Sequence, residues 1–371
     1  MRIRDFANLL IFLMCLLFPA STLFAANIFI ATGAGANHSI FIKTGGSLWA
    51  MGDDSSGELG DGQLLAVTSP EGDYGVDVPI KILSTGAKSA AVGYYYSLFV
   101  KTDGSLWGMG GSYSNVPELI ISNKVAAVSA GYGNNLFIET NGSVWSLEGE
   151  GGAGEILSSN VTAIASGNGD NYFIKTDGTL WGMGNNSSGE LGIGTDNQTS
   201  VPVQIASNVL AVAAGNGFCL FLETNGSLWA MGDNEYGELD DGTYNSTNKP
   251  EQVVPGNVVA ISAGFLQGLF IKSDGSLWGM GDDFAGQLGN GDFDSDGVDF
   301  PVEIAQAPPS SLNIMVSGNQ AGIFFSGGAQ GLSLEMTTNL TTGPWVTVTN
   351  AIPVSGFLVT NVTGTAFYQV Q

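Results

Sequence analysis

One motif is written into this chain six times, and it leaves few folds open. Its cleanest copy runs from Phe173 to Gly192. An apolar run reaches Asp177-Gly178, a second run carries Trp181, and a loop ends in Gly189-Glu190-Leu191-Gly192. An Asp-Gly pair supplies the positive φ angles of a two-residue turn, so the two runs read as a β-hairpin. The copies carry Trp49, Trp107, Trp145, Trp181, Trp229 and Trp278, spaced 58, 38, 36, 48 and 49 residues apart. Their turns are Gly45-Gly46, Asp103-Gly104, Asn141-Gly142, Asp177-Gly178, Asn225-Gly226 and Asp274-Gly275, all favoured hairpin dipeptides. Self-similarity at this period predicts a solenoid or a propeller.

Each copy holds four strand-like runs, which selects the propeller. The first ends in Ala-Gly or Ser-Gly, as in Val125 to Gly131, Val161 to Gly167, Val209 to Gly215 and Val258 to Gly264. The second and third form the hairpin. The fourth opens with proline (Pro79, Pro117, Pro202, Pro301), which a sheet tolerates at the first residue of an outer strand. Glycine at 55 copies and charged residues at only 12% suit tight turns between apolar strands, and glycine is unfavourable inside helices. The chain is expected to be all-β, with six clear four-stranded blades. Regularly recurring aromatics predict a structural core, so the six tryptophans are assigned to packing between blades.

The hairpin, the Trp-x-Met-Gly run and the loops Gly57-Glu-Leu-Gly60, Gly189-Glu-Leu-Gly192, Gly237-Glu-Leu-Asp240 and Gly286-Gln-Leu-Gly289 resemble the regulator of chromosome condensation repeats. Asn37-His38-Ser39 is similar to that family's His-Ser pair. The resemblance covers residues 27–307; the units near Gly104 and Gly142 are shorter and lack the loop. It implies seven blades. Residues 313–371 are therefore read as a degenerate seventh blade with extra strands, using Leu332 to Met336 and Trp345 to Val348, or as a small C-terminal β-module.

Met1-Arg2-Ile3-Arg4, an apolar run from Phe6 to Phe18 and the small residues before Ala26 have the layout of a secretory signal peptide over residues 1–25. The run is short for a bilayer span. A secreted, periplasmic or cell-surface chain with no membrane span after cleavage is expected. The mature chain then keeps one cysteine, Cys219, in an apolar strand, so neither an internal disulfide nor a cysteine metal cluster can form. Without residues 1–25 there are 8 Lys, no Arg and 33 acidic side chains, a net charge of −25. Such a surface repels nucleic acid and anionic lipid.

Chemistry has few places to hide. Asp292, Asp294 and Asp296, with Gly297 and Glu303 following, have the spacing of a calcium loop, and calcium is the one cofactor considered. Pro301 and the absence of flanking helical patterns argue against a true EF-hand, leaving a loop-only site. His38 is the only histidine, and no nucleophile-elbow sequence accompanies it. Glu58, Asp61, Glu190, Glu238, Asp240 and Asp241 lie on loops and could serve a glycosidase, although they recur with the repeat. Asn160-Val-Thr and Asn186-Ser-Ser are glycosylation sequons only in a host that modifies exported chains.

The function expected is an exported, non-enzymatic, monomeric interaction module that binds a protein through its loop faces. The resemblance implies two models, a nuclear exchange factor for a small GTPase and a secreted propeller-type inhibitor of β-lactamases. The rival class is a carbohydrate-binding or carbohydrate-active protein taking a glycan with loop carboxylates. A calcium-dependent surface spacer is the structural alternative.

Overall fold

The structure is a computed structural model describing residues 29–34, 38–64, 75–148, 152–284, 288, 294–305 and six strand segments between 311 and 370. Residues 1–25, expected to be a leader, lie outside the described residues. The chain is all-β, with six four-stranded blades in a ring. The blades span residues 29–83, 87–121, 125–157, 161–206, 209–254 and 258–305, each with its strands in sequence order. The chain divides into two compact units, Met1–Phe270 with Gly279–Val302, and Ile271–Trp278 with Glu303–Gln371.

Within a blade the second strand is the most deeply buried, because both its faces meet neighbouring blades. Ser97–Lys101 and Phe218–Glu223 are buried at every position but the last. Such strands read as continuous apolar runs instead of alternating ones. The outer strands, such as Thr199–Ala206, are largely exposed and carry the prolines. The core therefore lies between blades: Tyr172, Ile174 and Leu191 of blade 4 pack with Val209, Cys219 and Phe221 of blade 5.

Adjacent blades are clasped through the hairpin turns. The carbonyls of Gly46, Gly104, Gly142, Gly178 and Gly226 each accept the first N–H of the next blade's inner strand, at 2.9–3.1 Å. Glycine is required there: Gly104 has φ +82°, and a Cβ on it would stand 2.9 Å from the backbone nitrogen of Lys124. The facing residue is itself left-handed, being Gly86, Lys124, Asn160, Asn208 or Asn257 at φ 60–90°. Glycine and asparagine accept this conformation readily and lysine does not.

The turn also sets the tryptophan. In blade 2 the Asp103 carboxylate accepts from the N–H and hydroxyl of Ser105, whose oxygen accepts from Trp107 Nε1 at 2.8 Å. The relay repeats at Asn141-Ser143-Trp145, Asp177-Thr179-Trp181, Asn225-Ser227-Trp229 and Asp274-Ser276-Trp278. In blade 1, where Gly45 stands at the turn, Trp49 still reaches Ser47. Each of these six tryptophans is half-buried. Trp107, Trp145, Trp181 and Trp229 lie against clusters shared between their own blade and the preceding one. Lys101, Lys175 and Lys272 place their ammonium groups 3.6–3.7 Å from the Trp107, Trp181 and Trp278 rings.

The last strands depart from the blade plan. Ser311–Ser317, Gln320–Ser326 and Phe357–Thr360 form one three-stranded sheet; Val346–Thr349, Leu334–Thr337 and Phe367–Val370 form another. A seventh blade would pair Gln320–Ser326 with Leu334–Thr337, but the former pairs with Phe357–Thr360 instead.

Trp181→Ala is expected to lower stability by about 3 kcal/mol, the lower end for a large aromatic because the ring is half-buried. Chemical denaturation checks this, and an unchanged midpoint would show that the ring packs nothing. Lys124→Asn, which relieves a left-handed lysine, is expected to raise stability by about 0.5–1 kcal/mol in the same assay.

Candidate functional site

Antiparallel meanders send alternate connections to opposite ends of each blade. The hairpin turns and the links between blades share one end. The turns after the first strand and the loops after the third share the other, here called the loop end. The lysines divide with this geometry, although the exposed Asp103, Asp177 and Asp274 share their end. Seven of the eight lysines sit at or near the hairpin end, and only Lys249 stands at the loop end. The loop end carries Asp53, Asp61, Asp196, Asp233, Glu235 and Asp241 within reach of solvent.

Around the axis, the turns after the inner strands converge. Their first residues past the closing glycine are Tyr94, Tyr132, Asn168, Asn216 and Phe265 in blades 2 to 6. The Tyr94 ring lies 4.2 Å from Tyr132 and 4.0 Å from the exposed Tyr95, and Tyr132 stacks on Phe265 at 5.0 Å between centroids. Asn168 donates from its amide to the side-chain oxygen of Asn216 at 2.8 Å. Backbone bonds tie the ring together: Tyr132 N–H to Gly167 O at 3.0 Å and Asn216 N–H to Phe265 O at 2.9 Å. A pocket of about 70 Å³ opens here, lined by these turns and by Ser166, with room for a few waters or one side-chain end. Asp233 and Asp282 are tied to two of these turns, their N–H groups donating to Gly217 O and Leu266 O.

Beneath the turns, side chains link each blade to the next. His38 Nε2 meets Ser97 Oγ at 3.0 Å, the Tyr96 hydroxyl lies 2.6 Å from Asn135 Oδ1, and Asn134 donates to Asn171 Oδ1 at 2.9 Å. The fourth link fails. Asp170 is fully buried, and its counterpart across the seam is Cys219, which offers no strong donor. Neither Asp170 oxygen meets a donor, and the nearby Tyr172 hydroxyl donates to Glu190 O at 2.6 Å instead. Burial, with the Glu190 charge behind it, pushes the Asp170 carboxyl up to about 7. Burial likewise holds the Cys219 thiol well above its usual range and lowers His38 to about 4.

The loop carboxylates proposed for sugar chemistry are braces. Glu58, Glu190 and Glu238 are fully buried, and each accepts the N–H two residues earlier, from Ser56, Ser188 and Tyr236, at 2.8–2.9 Å. Asp54, Asn186 and Asn234 accept from Leu59, Leu191 and Leu239 across the same loops. Burial raises the Glu58 and Glu190 carboxyls, and it takes Asp54 and Glu238 to about 7. The exposed Asp61 and Asp241 cap turns through Gln63 and Thr243, while Asp240 is buried. His38 and Ser97 stand within hydrogen-bond distance but are sealed from solvent, so no substrate reaches them.

Family models for the regulator of chromosome condensation (RCC1) repeat match residues 177–222, 29–58 and 209–238. Solved structures agree on the fold. Prp20p from Saccharomyces cerevisiae superposes with TM-score 0.66 at 17% identity, covering 78% of this chain and 79% of its own. Human WBSCR16 gives 0.60 at 20% identity, covering 76% of this chain and 88% of its own. These segments are RCC1-type repeats, and the fold is a β-propeller of that type. Yeast RCC1 bound to Kap60 superposes at 0.65 and 17% identity, over 78% of this chain and 77% of that one. No curated protein matches the sequence.

Asp292 lies outside the described residues, while Asp294 and Asp296 begin the outer strand Asp294–Ala305, whose Gly297 has φ +82°. Among the described residues no group of three His, Cys, Asp or Glu side chains is placed to hold a metal, and no helix is long and apolar enough to cross a membrane. The axial aromatics were missed from the sequence because they do not recur. The available signal was the one column, just past the glycine closing the first strand, that departs from the repeat.

The buried acids set the pH response. A carboxyl raised in the fold stabilises fully below its ordinary range and loses that contribution as pH climbs through the folded value. Asp54, Asp170 and Glu238 therefore withdraw stability between about pH 4 and 7. His38, lowered to about 4, acts oppositely below pH 6.5, but it is one group against several. Asp103, Asp177 and Asp274 are held down by hydrogen bonds from Ser105, Thr179 and Ser276, and lose their contribution only in stronger acid. The melting temperature is expected to fall as pH rises from 5 to 8. Asp170→Asn, which supplies an amide as at Asn134, should raise stability at pH 8 by about 1–3 kcal/mol and flatten the slope; an unchanged slope would remove Asp170 from this account.

Proposed function

We propose that the protein is an exported, non-enzymatic interaction module whose loop end captures a protein with a basic surface. One observation carries the reading. Unrepeated aromatics meet at one end of the propeller among reachable carboxylates and a single lysine, while the other end mixes seven lysines with the exposed Asp103, Asp177 and Asp274. Aromatic residues at the centre of a face with charge at its rim are the anatomy of a protein-binding surface. The signal-peptide layout of residues 1–25 supports export, and a net charge of −24 disfavours nucleic acid. Prp20p, described for its binding to Gsp1p and histones, and yeast RCC1 bound to Kap60 are propellers of this fold that engage other proteins. The sealed His38 and the bracing glutamates support a role without catalysis.

The test immobilises the protein by its hairpin end and passes purified basic and acidic proteins over it, with calcium and with chelator. Retention of a basic protein, weakening steeply with salt, is expected. Changing Asp53, Asp233 and Asp282 together to Asn should reduce that retention by roughly tenfold, since near-surface charges acting jointly steer and hold such partners. Equal retention by this variant would overturn the assignment of the face. Calcium-dependent retention would bring the Asp292, Asp294 and Asp296 loop into the interaction.

A further inference from the structure

We propose that the axial aromatic cluster is an anchor for one cationic side chain, a lysine or arginine of the bound protein. The inference rests on the loop-end reading above and gives it a centre. Tyr94, Tyr132 and Phe265 come from three different blades, and nothing in the repeat calls for them. The equivalent positions of blades 4 and 5 are asparagines. Their centroids, 4.2 Å and 5.0 Å apart, are too close for a guest ring to enter between them. They make a continuous platform, and an aromatic face attracts a cation within about 6 Å of its centroid. The pocket here, about 70 Å³, has room for the end of a side chain.

The surroundings select the charge. Asp233 and Asp282 are bonded through their backbones to the same turns that carry Asn216 and Phe265. Asp53 and Glu58 act electrostatically on Tyr95, which stacks edge-on with Tyr94. The one lysine at this end, Lys249, begins an outer strand, away from the turns that form the axis. The Asn168–Asn216 pair spends one amide donor internally, and the exposed Asn168 keeps its amide oxygen as an acceptor for an ammonium or guanidinium N–H. This chain already holds lysines over aromatic rings at its hairpin end, at 3.6–3.7 Å, so such contacts form readily on its own surface. A neutral sugar stacked here donates hydroxyls to the carboxylates but lacks the net charge attraction that draws a cation.

The experiment titrates the protein with tri-arginine, tri-lysine, tri-glutamine and tri-glutamate peptides by calorimetry at low salt, and with neutral oligosaccharides. Binding of the cationic peptides alone is expected. Tyr132→Ala should weaken it by roughly fivefold and Tyr132→Phe by less than about twofold, because the ring face and not the hydroxyl meets the cation. Phe265→Leu and Asn168→Ala carry the test if Tyr132→Ala does not fold. Cationic binding unaffected by the aromatic changes, or oligosaccharide binding of equal strength, would overturn the anchor. Protein retention that survives Tyr132→Ala but is lost in the triple aspartate variant would remove the anchor and leave the broader reading standing. Peptide binding that depends on Tyr132, with no protein retained, would do the reverse.

Discussion

Each blade is held to the next by a contact between backbones that only a glycine turn permits. The carbonyl at the hairpin turn meets the first N–H of the following inner strand, and at Gly46 and Gly104 a side chain would collide with the residue it docks against. Because the contact is backbone to backbone, it sets the offset between blades independently of the side chains packed around it. Five successive clasps then bring the inner strands alongside one another. The turns that follow those strands have no choice but to converge. The axial cluster is thus a consequence of a joint made at the far end of the blades.

The same geometry explains how so acidic a chain stays folded. Its loop end contains carboxyls that are fully buried, several of them accepting backbone N–H groups while their second oxygen goes unmet. Removal from water shifts such groups towards the neutral form, and that lessens the repulsion a fixed charge would impose. The link between blades 4 and 5 is the exposed weakness of this arrangement. A histidine, a tyrosine and an asparagine bridge the earlier seams, but Asp170 faces a thiol across its own.

Much of the fold was readable in the residues. The Asp/Asn-Gly-Ser/Thr-x-Trp run encodes a turn, a hydroxyl relay and the tryptophan it positions, all within five residues, so local pattern and local structure coincide. The C-terminal strands, read as a degenerate seventh blade or a small β-module, pair as two three-stranded sheets whose long-range register no short pattern records. Glu190 and Glu238 were open to a catalytic reading because a loop position suggests exposure; folding turns them inward onto their own backbone.

By itself the sequence determined the all-β class, the six repeated blades, the turn chemistry and the overall negative charge, since each is a property of neighbouring residues or of composition. Only the tertiary structure decided which end of the propeller each charge occupies and which unrepeated residues meet at the axis. Tyr94, Tyr132 and Phe265 are separated by 38 and 133 residues along the chain. They touch because consecutive blades bring the same turn of each repeat back to one point, and that closure belongs to the assembled ring and to no segment of it.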